Sequence, residues 1–154
     1  MARIRPATQD DIGALVALED GFPEEDRFSR RTWQRLLRGN TAIILSQSGD
    51  ATLGAAITLF RKGNRTARLY SIIVADTARG KGISDQLLKE SEDISRQRTC
   101  TLMRLEVRES NARAIRLYER HSYRVMARAV QYYPDGEAAL KMEKPLSGIP
   151  SEDT

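Results

Sequence analysis

The chain has 154 residues, 25 of them Lys or Arg and 21 Asp or Glu, for a formal net charge of +4; this is a one-domain length with room for one substantial core. Its single cysteine, Cys100, excludes an internal disulfide and a cysteine-based zinc site of the usual kind, and no metal is expected. No stretch approaches the roughly 20 apolar residues of a membrane span, and the opening MARIRPATQDD has no apolar run of signal-peptide length, so a soluble, cytoplasmic protein with no membrane partner is expected.

Arg3 to Ala7 reads as a first strand. Thr8, Asp10 and Asp11 then supply a helix start, and Ile12, Leu15, Val16 and Leu18 its apolar face, until Gly21-Phe22-Pro23 ends it. After the acidic loop Glu24-Glu25-Asp26, Ser29 caps a second short helix carrying Trp33, Leu36 and Leu37, which stops at Gly39-Asn40. Thr41 to Ser46 and Ala51 to Phe60 are apolar strands joined across Gln47-Ser48-Gly49-Asp50. Ala67 to Val74 is the next strand, and a helix runs from Gly80 to about Arg98. Cys100 to Val107 follows as a strand with Leu105 and Val107 on one face and Arg104, Glu106 and Arg108 on the other. Asn111 opens a helix through His121, Tyr123 to Gln131 is a strand, and Glu137 to Glu143 returns beside it; residues 145–154 read as a disordered tail.

The turn Arg79-Gly80-Lys81-Gly82-Ile83-Ser84 joins a strand to a helix, and a helix start leaves backbone N–H groups unpaired and directed at one spot, which attracts anions. Glycines before a helix also occur simply because a turn is tight. The dinucleotide pattern G-x-G-x-x-G fails at Asp85, and the nucleoside-triphosphate pattern fails because Gly82 follows Lys81. The six residues resemble instead the pyrophosphate loop [QR]-x-x-G-x-[GA] of the GNAT superfamily of acyl-CoA N-acyltransferases, with Ser84 in a place where that family prefers Gly or Ala. A second block, LEVRESNARAIRLYERHSY from Leu105 to Tyr123, resembles the downstream motif of the same family, with His121-Ser122 in place of its Leu-Gly. Near the C-terminus, Gln131-Tyr132-Tyr133-Pro134-Asp135-Gly136-Glu137 is similar to the final hairpin of the ribosomal-protein alanine N-acetyltransferases.

The resemblance implies a single GNAT domain over residues 1–144: an α/β fold with a mostly antiparallel mixed sheet, helices on both faces and a central strand pair that splays apart near Ile72 to Ala75 and Leu105 to Arg108. It implies acetyl-CoA as cosubstrate, held by Ile72, Ile73 and Val74, by the loop Arg79, Gly80, Lys81, Gly82, Ile83 and Ser84, and by Asn111 and Tyr118. The implied chemistry is direct attack of a primary amine, with a backbone N–H near Ile73 or Val74 polarising the acyl carbonyl. Tyr118, one helical turn from Ala114 and Ile115 on an inward face, would serve the leaving thiolate. A phenol of pKa about 10 faces a thiol of about 8.5, so full proton transfer is uphill by about 2 kcal/mol and a hydrogen bond to the developing charge fits better. Glu106 is the matching base; Arg104 and Arg108 on its face would hold it as an anion, leaving it either to act through a water or to position the amine.

Tyr132, Tyr133 and Glu24 would line the acceptor site; the tyrosines also suit cross-strand packing, and acidic loop residues such as Glu24 commonly stay solvated. Weak base equipment suits a peptide α-amine of pKa about 8 over a lysine near 10.4. A protein or peptide N-terminus is therefore the expected acceptor, with a small-molecule amine as alternative and a non-catalytic acyl-CoA-binding module as a third reading. The oligomeric expectation is monomer or homodimer. Arginines gather at Arg27 to Arg38 and Arg104 to Arg128, but neither interleaved aromatics nor a helix-turn-helix signature accompanies them, so nucleic acid is not the expected partner. CoA accounts for part of the basic excess.

Overall fold

The computed structural model describes residues 2–146. In chain order the elements are β1 (Arg3–Pro6), α1 (Ile12–Leu18), α2 (Arg30–Arg38), β2 (Thr41–Ser48), β3 (Ala51–Leu59), β4 (Thr66–Val74), α3 (Ile83–Gln97), β5 (Leu102–Arg108), α4 (Ala112–Arg120), β6 (Arg124–Ala129) and β7 (Ala139–Pro145). Among the described residues the strands form one sheet of order β1-β2-β3-β4-β5-β7-β6. Every pairing is antiparallel except β4 with β5, which the intervening α3 makes possible as a crossover. This is the mixed, mostly antiparallel sheet the sequence implies.

Strand alternation divides the core between the two faces. Ile43, Leu45, Ala55 and Ile57 meet Ile12, Leu15 and Trp33 beneath α1 and α2. On the other face Leu69, Met103, Leu105 and Val107 meet Leu88 of α3 and Leu117 and Tyr118 of α4. At Gly54 of β3 a Cβ would stand 2.7 Å from the Ile73 carbonyl and 3.2 Å from Ile83 and Leu87, so the missing side chain is what lets α3 lie so close to the sheet.

The parallel pairing of β4 with β5 covers only Thr66↔Leu102, Ala67↔Met103 and Arg68↔Arg104. Next to its end the β3–β4 register slips, leaving Tyr70 as the extra residue of a bulge. A bulge bends its strand and sharpens the local twist. Beyond it β4 stays with β3 as far as Gly54↔Val74, while β5 stays with β7 as far as Arg108↔Ala139. Each strand keeps its antiparallel partner and loses the parallel one, which opens the splay at the expected residues.

Several boundaries differ from expectation. The helix expected from Gly80 starts at Ile83, because Gly80 and Gly82 take left-handed backbone (φ 79° and 77°). The strand expected to Gln131 ends at Ala129, since Gln131 also turns left-handed (φ 51°). At the C-terminus β7 runs to Pro145 and Leu146 is buried, two residues past the expected domain limit; residues 147–154 of the expected tail lie outside the described residues.

Candidate active site

The open edge of β4 is one half of the site. Ala75 N–H donates to the Leu53 carbonyl at 2.8 Å. Because successive residues of a strand direct their amides to opposite edges, the amides of Ile72 and Val74 face the side that β5 has left. The side chains of Ile72 and Val74 pack with Ile83 and Leu87 of α3, and Ile73 is buried. The loop ahead of α3 continues this edge. A Cβ on Gly80 or Gly82 would meet nothing within 4 Å, so these glycines are required by their positive φ and not by crowding. Gln86 N–H is the first amide of the helix to bond back, to the Gly82 carbonyl at 3.1 Å, which leaves those of Ile83, Ser84 and Asp85 facing the loop. Arg79 and Lys81 are exposed beside them, Arg79 against Asp76 at 3.1 Å. Open amides, two left-handed glycines and two cations make a cradle that suits a pyrophosphate.

Two further residues of the implied cofactor set lie on α4. Asn111 caps that helix, its side chain accepting from Ala114 N–H at 3.1 Å. Tyr118 is buried in the core under β5, and its hydroxyl has no hydrogen-bond partner among the described residues. Burial, and less strongly the neighbouring Tyr133, pushes the Tyr118 phenol well above its usual range. The end of α4 aims the ring: Tyr123 N–H returns to the Tyr118 carbonyl and Ser122 N–H to that of Glu119, both at 3.0 Å, with Ser122 left-handed at φ 73°. This closure sets the Tyr123 ring edge-on to Tyr118 at 5.7 Å.

On the opposite face of the sheet the splay is lined by charge. Glu106 does not pair with Arg104 or Arg108, as its face suggested. Its partner is Arg68 of β4, whose Nε donates to Glu106 Oε1 at 2.8 Å, and whose Nη2 donates to the Tyr132 hydroxyl at 3.2 Å. Arg108 is engaged instead by Asp26, Asp135 and Glu137 at 2.8 to 3.0 Å and lies 4.2 Å over the Tyr133 ring. The Tyr133 phenol is pushed up to about 12 by burial. Tyr70, aimed by the bulge, stacks on Phe28 at 5.4 Å, and Phe28 in turn meets Trp33 edge-on. Beneath them Glu19 is buried and accepts from Phe28 N–H and Trp33 Nε1, with its carboxyl pushed upward by burial. Glu24 is exposed, and its side chain makes no hydrogen bond or ion pair to the splay among the described residues; it is Asp26, two residues on, that reaches Arg108.

The splay thus brings together Glu106, Tyr132 and Tyr133, while Tyr118 is buried in the core on the other face of the sheet, near enough to Tyr133 to feel it. Residues 10–123 match the family model described as Acetyltransferase (GNAT) family. The chain belongs to that family. Among curated relatives, an N-alpha-acetyltransferase of Saccharolobus solfataricus is 38% identical over 90 residues, covering 58% of this chain and 52% of the relative. A streptothricin acetyltransferase of Streptomyces lavendulae is 31% identical over 131 residues, covering 82% and 64%. The chain therefore spans between half and two thirds of these relatives' length. The crystal structure of the ribosomal-protein-S18-alanine N-acetyltransferase from Escherichia coli superposes with a TM-score of 0.85 at 26% identity, covering 100% of this chain and 99% of that one.

Arg68, Tyr70, Asp26 and Arg108 were not among the site residues expected of this GNAT chain. Arg68 and Tyr70 alternate along β4 as Glu106 and Arg108 do along β5, so the period of two places each pair on one face. The strand order that makes the pairs neighbours is a tertiary fact. Asp26 reaches Arg108 from 82 residues away, and no local signal announces it.

Proposed function

We propose that the chain is an acetyl-CoA-dependent N-acetyltransferase whose acceptor is the N-terminal α-amine of a protein or peptide. The observation that carries this reading is the splay itself: a strand edge and amide-rich loop on one side, and the Arg68–Glu106–Tyr132 cluster on the other. Acetyl-CoA would supply a thioester-activated acetyl group. The outward amides of Ile72 and Val74 would hold its pantetheine arm, and the Gly80–Gly82 turn with Arg79 and Lys81 its pyrophosphate. Val74 N–H is the better placed of the two expected donors to the acyl carbonyl, because the amide of Ile73 faces β3.

Glu106 is tied to Arg68 and is suited to orient the incoming amine and to accept its proton through water. As the new C–N bond forms and the C–S bond breaks, Tyr118 donates a hydrogen bond to the leaving sulfur. Its raised pKa widens the gap to a thiol, so it stabilises charge without releasing its proton early. The acceptor end is lined by Tyr132, Tyr133 and Tyr70 around Glu106, to which Glu24 would add an exposed acid. Aromatic walls and acid suit a short cationic peptide end, which is the observation that favours a peptide over a compact small amine.

The test is free-thiol release from acetyl-CoA across short peptides of varied N-terminal residue, beside lysine, polyamines and aminoglycosides. Release with peptides above the small amines is expected. Release confined to small amines would replace the acceptor, and CoA binding without release to any acceptor would favour a binding module.

A further inference from the structure

The sequence places an arginine cluster at Arg27 to Arg38 that the active site does not use, and the fold joins its outer residues to a second one. Arg31, Arg35 and Arg38 line a groove of about 470 Å³ that ends at Gly39. Its neighbour, a groove of about 300 Å³ beginning at Asn40, is lined by Arg61, Lys62, Arg65 and Arg98. Asn40 joins the two: its side chain accepts from Arg98 Nη1 at 3.3 Å, while Arg98 Nη2 reaches the Thr41 carbonyl and the guanidinium lies 4.2 Å over the Phe60 ring.

All these cations are exposed. No carboxylate lines either groove, and none of the cations is ion-paired among the described residues, although Arg5, Arg68, Arg96, Arg108, Arg120 and Arg128 all are. Arg31, Arg35, Arg38, Arg61, Lys62, Arg65 and Arg98 thus bring seven positive charges to adjoining grooves with no carboxylate among the lining residues. The first groove lies along α2 and the second at the start of β4 and the end of α3; the length of β4 separates the second from the open strand edge at Val74 by about 25 Å, while the Arg68–Glu106–Tyr132 cluster begins about 10 Å from Arg65.

Against the expectation from the linear sequence, which shows neither interleaved aromatics nor a helix-turn-helix signature, we propose that this double groove, assembled only by the fold, binds the phosphate backbone of a nucleic acid. Guanidiniums dominate it, and their planar forks suit phosphate oxygens better than ammonium groups do. A membrane surface fits less well, because among the described residues the exposed large apolar ones are Tyr70, Val125, Met126, Val130 and Tyr132, none of which belongs to either groove. The inference does not depend on the proposed reaction.

The experiment measures anisotropy of a labelled 20-nucleotide single-stranded RNA, and of DNA of the same sequence, with the full chain at 50 to 300 mM KCl. Saturable binding to at least one is expected, with a log–log salt slope of about −3 or steeper, reflecting displaced counterions; the tighter of the two names the source. Arg61→Gln, Lys62→Gln and Arg65→Gln together should weaken binding at least about 10-fold and flatten the slope by about 2. Thiol release and far-UV circular dichroism should stay as in the parent. Arg35→Gln with Arg38→Gln should weaken binding through the other groove. Absence of binding at 50 mM KCl would overturn the proposal. So would unchanged binding in both groove variants, loss of binding only in Arg79→Gln with Lys81→Gln, or tighter binding to phosphatidylserine vesicles or polyglutamate than to either nucleic acid.

Discussion

Tyr118 and Ser122 sit in one helix end and test two different quantities. Replacing Tyr118 with Phe removes only the hydroxyl, which is the group offered to the leaving sulfur. Turnover is expected to fall by about 10²-fold, in the range of a lost transition-state hydrogen bond, with acetyl-CoA affinity within about 2-fold. Steady-state kinetics beside a direct CoA titration checks this, and unchanged turnover would remove Tyr118 from the chemistry. Ser122 occupies the left-handed position after the helix with φ 73°, a conformation that glycine takes without steric cost and serine does not. Ser122→Gly is expected to stabilise the fold by about 0.5–1 kcal/mol. A thermal midpoint that falls instead would mean the serine side chain contributes where the backbone geometry says it is strained.

Gly54 and Gly82 make the same comparison between elements. At Gly54 the obstacle is contact: Gly54→Ala drives a Cβ against the Ile73 carbonyl and the first turns of α3, and a loss of about 1–3 kcal/mol is expected from overpacking. At Gly82 the space is open and the obstacle is φ alone, so Gly82→Ala should cost about 1 kcal/mol. Gly82→Asn, a residue that tolerates left-handed backbone, should recover part of it. Urea unfolding of the three variants separates the mechanisms; a harmless Gly54→Ala would mean α3 can move off the sheet. These two glycines also mark the limit of what the sequence discloses. The Gly82 turn was legible because punctuation before a helix is local, and so were the order of the elements and their apolar faces. The partner of Glu106 was not, because Arg68 meets it only through strand order. Nor was the bulge at Tyr70, since a register slip leaves the alternating pattern of one strand almost intact.

At the scale of the whole molecule, the splay that makes the site also makes a seam. Three residue pairs join β4 to β5, so the two halves of the sheet depend on what crosses between them. α3 crosses, packing on one side against β2, β3 and β4. On the other side its buried Glu92 accepts from Lys144 Nζ of β7 at 2.9 Å and from the Tyr123 hydroxyl at 2.8 Å. Removing one partner of a buried pair leaves the other uncompensated, and Glu92→Ala is expected to cost about 3–5 kcal/mol. Replacing the trio together (Glu92→Met, Lys144→Met and Tyr123→Phe) should recover most of that, because apolar residues of similar volume leave no orphaned charge. The sole tryptophan, Trp33, reads the outcome from the far half, where it is fully buried between α2, α1 and the sheet. If α3 makes one cooperative unit of the two halves, Glu92→Ala moves the Trp33 fluorescence transition and the far-UV dichroism transition together, by about 1–3 M urea. A Trp33 transition that stays in place while the dichroism splits in two would mean that the seam opening the active site also divides the fold.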